Sequence, residues 1–133
     1  MLEATTKTAN ISYDGKVLTT VLHEDVEVEI ADVIENYNIV MDIIKGNRFV
    51  SLVITAPHNS ITKEAREYSN NEENYQFCIA QAIVVKSLAT RLLGNFYVKF
   101  AKTFCPQRMF NTKEDALTWL NMHWEIVLKE KVA

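Results

Sequence analysis

The chain opens with residues whose pattern is typical of β-structure. Residues 6–13 predict a strand, and the β-branched residues of 16–22 predict a second strand that returns beside it. Between them stands Asp14-Gly15, a pair that tolerates the positive φ angles of a two-residue turn. The first elements are therefore predicted to be a β-hairpin.

The apolar period changes to that of an α-helix at Ile30. Residues 23–30 are ambiguous, because apolar residues alternate there with acids as in a strand. Beyond them a helical stripe is predicted to end at Gly46, while Asp32 and Glu35 fall on the opposite, solvent-facing side. The stripe comprises Ile30, Val33, Ile34, Tyr37, Val40, Met41 and Ile44.

The second half of the chain alternates apolar runs with helical patterns. Two runs without charged residues inside them predict strands buried on both faces. The predicted elements are a strand at 49–55, a short helix at 63–70 capped by Thr62, a strand at 78–86, a helix at 88–102, a strand at 107–110 and a last helix from Thr112 to about Leu128.

This order of elements predicts an α/β fold. Strands that alternate with helices become parallel neighbours joined by right-handed crossovers, and the leading hairpin adds an antiparallel part. We expect a mixed sheet of about five strands with about four helices. The 133 residues suit a single domain, 1–133.

Charge is unevenly distributed along the chain, although its net value is only −3. Between Lys16 and Lys45 there is no Lys or Arg, whereas acids are frequent. Between Asn74 and Lys113 there is no acid, whereas bases are frequent. We expect the acids of 24–42 to form a solvated surface and the two halves of the fold to carry opposite charge.

The cysteines and the termini indicate the compartment. Cys78 and Cys105 each follow a phenylalanine and belong to no metal-binding or redox motif, which favours buried free thiols in a reducing cytosol. The first residues lack the features of a signal peptide, and no apolar stretch is long enough to span a membrane. A soluble, cytoplasmic protein is therefore expected.

Five segments, taken in order, resemble a known family. They are Asp14-Gly15 before the Ile30 helix, Ile61-Thr62-Lys63-Glu64-Ala65-Arg66, Ala82-Ile83-Val84-Val85-Lys86-Ser87, Arg108-Met109-Phe110, and Glu114-Asp115-Ala116-Leu117-Thr118-Trp119-Leu120. Their order and spacing resemble the small STAS-like (SpoIIAA-like) domains, particularly stand-alone bacterial members without an assigned function. The resemblance covers about residues 8–121, which implies the core of the domain there. Its most specific piece, Phe110 to Leu120, is structural.

The resemblance implies a STAS-like fold and a module that binds other proteins without a cofactor. The best understood members are anti-sigma-factor antagonists, in which a Ser or Thr at a helix start after the central strand is phosphorylated. The comparable stretch here is His58-Asn59-Ser60-Ile61-Thr62, and it lacks the Asp-Ser-x-x-Gly-like pattern of the phosphorylated members. We interpret His58, Asn59, Ser60 and Thr62 as a partner-binding or regulatory loop, with helix capping as the alternative for Ser60 and Thr62.

The motifs of common catalytic and metal sites are absent from the sequence. The three histidines are isolated, no Ser stands in a nucleophile elbow, and the three glycines are too far apart for a phosphate-binding loop. No catalytic, metal or cofactor residue is therefore assigned, and the chain is expected not to be an enzyme.

Two surfaces remain as candidates for binding. Arg91, Lys99 and Lys102 form a basic surface on the predicted helix 88–102. It is either a solvated face or a surface for a protein or anionic ligand, and the sequence pI of about 5.6 speaks against nucleic acid. The last helix is apolar nearly all round, with a core stripe of Ala116, Leu120, Trp124 and Val127. On another side lie Trp119, Met122, His123 and Ile126.

Those last four residues have two interpretations. They form the seam of a homo-oligomer, most simply a dimer, or the N-terminal hairpin covers them within one chain. The sequence thus predicts a non-enzymatic regulatory or protein-interaction module of unknown partner. The alternative is a carrier or sensor of a small apolar or lipid-like ligand, held by the wide apolar faces of helices 88–102 and 112–128.

Overall fold

The computed structural model describes residues 2–85 and 104–132, which form eight strands and three α-helices. The strands are β1 (Leu2–Thr5), β2 (Ala9–Tyr13), β3 (Val17–Leu22), β4 (Glu27–Val28), β5 (Phe49–Ile54), β6 (Ser60–Ile61), β7 (Cys78–Val84) and β8 (Gln107–Phe110). The helices are α1 (Ile30–Ile44), α2 (Lys63–Ser69) and α3 (Lys113–Val132), with a 3₁₀ turn at Glu73–Tyr75. The predicted helix 88–102 lies outside the described residues.

The strands form one mixed six-stranded sheet in the order β1-β2-β3-β5-β7-β8. The pairs β1–β2 and β2–β3 are antiparallel, and the remaining pairs are parallel. The short strands β4 and β6 pair separately and in parallel. The mixed α/β architecture is therefore confirmed.

The predicted count of five strands is one too low for this sheet, because β1 was not anticipated. The predicted strand 6–13 begins only at Ala9, since the chain turns at Thr6–Thr8. The Thr6 hydroxyl accepts hydrogen bonds from the backbone N–H groups of Thr8 (3.3 Å) and Ala9 (3.1 Å). This side-chain turn, which competes with strand pairing, sends Leu2–Thr5 back along the edge of β2.

The hairpin β2–β3 is confirmed, together with the reason for its turn. One carboxylate oxygen of Asp14 accepts from the backbone N–H groups of Lys16 (2.9 Å) and Val17 (2.7 Å). Gly15 has φ 95°, a conformation that residues with a side chain rarely adopt. The Asp-Gly pair thus supplies both the hydrogen bonds and the conformation that the turn requires.

Helix α1 has the predicted bounds but a different set of buried residues. The predicted solvent-facing Asp32 is only 4% exposed, because its carboxylate accepts from the backbone N–H of Glu29 (2.9 Å) in a capping box. Ile30 and Ile34, predicted to be core residues, are 37% and 40% exposed. In the described chain, the apolar core contacts of the helix come from its second half, Ile39 to Ile44.

The sheet carries a separate apolar cluster on each face. One cluster joins α1 to the hairpin and to the first residue of β5 and of β7; its buried members are Ala9, Ile11, Tyr13, Leu18, Ile44, Phe49, Cys78 and Cys105. The other joins α3 to the interior of β5 and β7; its buried members are Val50, Leu52, Ile79, Ala80, Ala82, Val84, Ala116 and Leu120. The prediction that β5 and β7 are buried on both faces is confirmed.

Helix α3 packs as its sequence pattern predicts. Ala116 and Leu120 are 0% and 1% exposed, and Trp124 and Val127 pack partly buried against the same cluster. The Thr112 hydroxyl accepts from the backbone N–H of Asp115 (3.2 Å), which caps the helix start. The helix continues to Val132, beyond the predicted end near Leu128.

The two cysteines are buried free thiols, as predicted, and they touch. Their Sγ atoms lie 3.7 Å apart, where the start of β7 meets the segment before β8. The contact with the Cys105 sulfur, followed by burial, raises the pKa of the Cys78 thiol well above its usual range. Cys78 is therefore protonated near neutral pH.

Replacing the central core residue of α3 tests this packing. Leu120→Ala is expected to lower the free energy of unfolding by about 2–5 kcal/mol, because it removes buried methyl groups and leaves a cavity. Urea unfolding followed by circular dichroism measures the change. The matched control is Leu128→Ala on the same helix, where the side chain is 40% exposed and the cost is expected to be about 0.5 kcal/mol. Equal losses for the two variants would contradict the described orientation of α3.

Candidate functional site

Two loops meet at the edge of the sheet where the parallel strands β3 and β5 end. We call residues 23–26 and 55–59 the loop pair. The backbone N–H of Asp25 donates to the carbonyl of Pro57 (3.2 Å), and that of Ser60 donates to the carbonyl of Val26 (3.1 Å). In open α/β sheets the carboxyl ends of strands are where ligands most often bind, so the position of the loop pair makes it a candidate site.

Asn59 holds the loop pair together. Its Oδ1 accepts from the backbone N–H of Ala56 (2.6 Å), and its Nδ2 donates to the backbone carbonyl of His23 (2.6 Å). Both polar ends of the side chain are therefore used within the fold. The structure places Asn59 as a clamp between the two loops, and its amide is engaged before any partner arrives.

Each loop contains one residue in the left-handed region of backbone conformation. Asp25 has φ 59° and His58 has φ 62°. Neither is a glycine, and such conformations cost free energy that the surrounding hydrogen bonds must offset. Both side chains are exposed, so the loop pair presents an acid and an imidazole from fixed, strained backbone positions.

Ser60 and Thr62 have different positions. Thr62 caps α2, because its hydroxyl accepts from the backbone N–H of Ala65 (3.0 Å). Ser60 lies exposed in β6, directly across from exposed Glu27 of β4. A phosphate on Ser60 would face a carboxylate, which is electrostatically unfavourable.

The surface around the loop pair is acidic. Glu24, Asp25, Glu27 and Glu29 are all exposed there. The solvated acidic surface expected from sequence is therefore present, with Asp32 as the exception. Sequence reasoning missed the part played by His23 and Asp25, whose backbone groups meet the second loop only through the tertiary fold.

No nucleophile–base arrangement is seen in this part of the structure. Among the described residues, no hydrogen bond joins His58 to Ser60. Among the same residues, no group of three or more His, Cys, Asp or Glu side chains is placed to hold a metal ion. What the loop pair offers is a fixed, acidic, exposed surface.

The outer side of α3 is the second candidate site. We call Trp119, Met122, His123 and Ile126 the α3 seam. Met122 and Ile126 are 49% and 48% exposed. Trp119 packs against Phe110 with ring centroids 5.6 Å apart, and His123 stands edge-on to Trp119 at 4.5 Å. Two fixed rings thus flank two aliphatic side chains that the described chain leaves largely uncovered.

The hairpin covers a different side of α3. Lys16, at its turn, donates a hydrogen bond from Nζ to Asn121, and the same Nζ lies 5.8 Å from the Trp124 ring centroid. Trp124 is therefore shielded, whereas Met122 and Ile126 are not. The described hairpin contacts are therefore not with the four residues of the α3 seam, and the oligomer seam stays a prediction.

The basic surface of Arg91, Lys99 and Lys102 lies outside the described residues. No helix in the part of the chain that the structure describes has the length and apolar character needed to cross a membrane.

The fold belongs to the SpoIIAA-like class. The structure is similar to the crystal structure of an uncharacterized protein of the DUF3478 family with a SpoIIAA-like fold from Shewanella loihica PV-4. The TM-score is 0.60 at 16% sequence identity, and the match covers 84% of this chain and 91% of that one. At this identity the likeness concerns the fold alone, and it confirms the STAS-like architecture.

The sequence itself places the chain in a family. Residues 11–123 match the family described as "Domain of unknown function (DUF7793)", and the chain belongs to that family. No curated protein matches it. The function must therefore be argued from the surfaces described above.

Removing the clamp of the loop pair is expected to destabilise the protein. Asn59→Ala leaves the N–H of Ala56 and the carbonyl of His23 without their partner, at a cost of about 1–3 kcal/mol in unfolding free energy. Chemical denaturation measures it. The neighbouring Ser60→Ala is the control and is expected to change stability by about 0.5 kcal/mol or less, because Ser60 is exposed. If Asn59→Ala changed the unfolding free energy no more than the control does, the assignment of Asn59 as the clamp between the two loops would be wrong.

Proposed function

We propose that the protein is a non-enzymatic interaction module that associates with a second copy of itself through the α3 seam. The observation that carries this proposal is the exposure of Met122 and Ile126, each about half accessible on a helix whose opposite side is core. Aromatic anchors beside exposed aliphatic side chains are typical of interface centres. Trp119 and His123 supply such anchors, and their mutual contact fixes them before association.

The spacing of residues on α3 supports a second copy as the occupant. From Asp115 through Trp119, Met122 and Ile126 to Lys129 the intervals are four, three, four and three residues. This is the repeat that keeps one stripe facing a partner helix. The stripe begins with an exposed acid and ends with an exposed base.

A two-fold axis at Met122 would use both ends of the stripe. Asp115 and Lys129 each lie seven residues from Met122, so in an antiparallel pair Asp115 of one copy faces Lys129 of the other. The same surface is then self-complementary in shape and in charge. This complementarity favours a second copy over an unrelated partner.

The loop pair is the surface we propose for a further, regulatory partner. Its exposed acids, Glu24 and Asp25, are held on loops joined by backbone hydrogen bonds, and exposed Glu27 follows directly in β4. Such a surface attracts a basic partner over distances comparable to the Debye length, about 8 Å at physiological salt. The hydrogen bonds mean that little further ordering is needed on binding.

We also propose a cytoplasmic location. The Cys78 and Cys105 sulfurs are in contact at 3.7 Å yet are unbonded thiols. Neighbouring thiols of this kind persist in a reducing compartment and tend to pair in an oxidising one.

Charged substitutions in the α3 seam test self-association. Wild type is expected to sediment as a dimer that dissociates on dilution, whereas Met122→Glu and Ile126→Glu are expected to be monomers, because each buries a carboxylate at the centre of the interface. The control is Ile34→Glu, at an isoleucine of α1 that is 40% exposed, and it is expected to sediment like wild type.

Thermal unfolding, followed by circular dichroism at a concentration where every variant is monomeric, is the control. The seam variants are expected to unfold cooperatively, as wild type does. A wild-type protein that stays monomeric at the highest soluble concentration would remove the proposal.

A charge exchange tests the antiparallel geometry. Asp115→Lys and Lys129→Asp are each expected to raise the dimer dissociation constant about tenfold, because each places like charges opposite one another at two symmetric positions. The double variant is expected to return most of the affinity. Losses that simply add in the double variant would contradict the two-fold arrangement about Met122. Sedimentation equilibrium at low and high salt measures all four proteins.

A further inference from the structure

A concavity lies at the opposite edge of the sheet from the loop pair, where the parallel strands begin. We call it the amino-edge cleft. It encloses about 330 Å³, within the range of small-molecule sites. Its walls come from the hairpin, the segment before β5, the start of β7 and the end of α3; they are Tyr13, Gly15, Asn47, Arg48, Ile79, Trp124, Val127 and Leu128. No residue of the α3 seam is among them.

Tyr13 is the most informative wall residue. It is 6% exposed, and its buried hydroxyl has no hydrogen-bond partner among residues 2–85 and 104–132. Buried polar groups are almost always paired, and an unpaired one costs free energy. Burial, followed by the nearby Asp14 carboxylate, raises the pKa of Tyr13, so the hydroxyl keeps its proton. It is therefore a donor in need of an acceptor.

The charged groups at this cleft are mainly cationic. Arg48 is exposed on its wall, and Lys16 lies 5.8 Å from the ring of Trp124, another wall residue. The Asp14 carboxylate also acts on Tyr13, and one of its oxygens accepts from the backbone N–H groups of Lys16 and Val17. The charged side chain on the described wall of the cleft is that of Arg48, so a ligand entering here would meet a guanidinium at one end.

The rest of the cleft is apolar. Ile79 belongs to the core cluster beneath α3, Trp124 and Val127 pack on that cluster, and Leu128 is 40% exposed beside them. These side chains can take an aliphatic or aromatic body. An apolar pocket with a few convergent donors is the usual form of a site for an amphipathic small molecule.

We propose that the amino-edge cleft binds a small carboxylic acid with an apolar body. Arg48 pairs with the carboxylate, the Tyr13 hydroxyl donates to it, and Trp124, Val127 and Leu128 cover the body. This proposal specifies the small apolar ligand of the alternative function predicted from the sequence: it carries a negative charge, and it binds in the amino-edge cleft. The site is independent of self-association, because the side chains that carry the α3 seam do not line it.

A titration with octanoate, compared with octan-1-ol, tests the ligand class. Octanoate is expected to shift the backbone amide NMR signals of Tyr13, Gly15 and Arg48 and the indole signal of Trp124, with a dissociation constant at least tenfold lower than that of the alcohol. The alcohol has the same body and lacks the charge. Absence of shifts with octanoate at millimolar concentration would overturn the proposal, and so would equal affinity for both compounds.

Three variants test the assigned roles. Arg48→Gln is expected to weaken octanoate binding about tenfold, as loss of a charge-assisted hydrogen bond does, whereas Lys63→Gln, which removes the same charge from α2, is expected to leave it unchanged. Val127→Trp fills the cleft and is expected to abolish binding. If Arg48→Gln bound octanoate like wild type, the assigned carboxylate partner would be wrong.

Tyr13→Phe separates ligand binding from folding. It removes only the unpaired hydroxyl, so the thermal midpoint of the free protein is expected to stay equal or rise, while octanoate affinity falls about fivefold. A lower midpoint with unchanged affinity would show that the hydroxyl serves the fold, and the proposed role of Tyr13 would be overturned. Sedimentation of the same variants is expected to match wild type whichever result is found for the α3 seam.

Discussion

The burial of β5 on both faces is the constraint on which the rest of the structure depends. Val50 and Leu52 point into the cluster under α3, whereas Phe49 belongs to the cluster under α1. The same strand pairs with β3 on one side and β7 on the other. A strand in this position must be apolar and must be covered twice, so α1 and α3 are held on opposite faces. The loop pair and the amino-edge cleft then lie at the two ends of this strand and its neighbours, and their walls are fixed because β5 is fixed.

Patterns that report burial were readable from sequence, and patterns that depend on a single hydrogen bond were not. Apolar periodicity indicates which face of an element meets the core. It therefore correctly predicted β5 and β7 as buried strands, and α3 as a helix with Ala116 and Leu120 on its buried side. The turn at Thr6 and the burial of Asp32 are not predictable from the sequence. A Thr or Asp whose side chain accepts a hydrogen bond from the backbone cannot be told from an ordinary polar residue there. Ile30 was misassigned for a related reason: a helical stripe shows which side faces inward but not how far along its length the sheet extends.

The candidate sites were predictable to different degrees. The stretch 58–62 is indicated by the resemblance to STAS-like domains, and within it Asn59 and Thr62 are used by the fold, as clamp and as cap. The amino-edge cleft was missed altogether, because its walls come from segments scattered from Tyr13 to Leu128. Its one local signal, a tyrosine at the end of a strand, is common in sheets. Only the tertiary structure shows that this particular hydroxyl lacks a partner.

The apolar surface of helix α3 is nearly continuous, and it faces three different environments: the core, the amino-edge cleft and solvent. Ala116 and Leu120 are fully buried, Trp124 and Val127 lie between core and cleft, and Met122 and Ile126 face solvent. A monomer needs only the first of these sides for its core, and the second is accounted for by the cleft. On the third side Met122 and Ile126 are each about half exposed, and exposed apolar side chains on a helix favour association. The excess of apolar residues on α3 over what the core requires is thus the feature that points away from a purely structural role and toward binding.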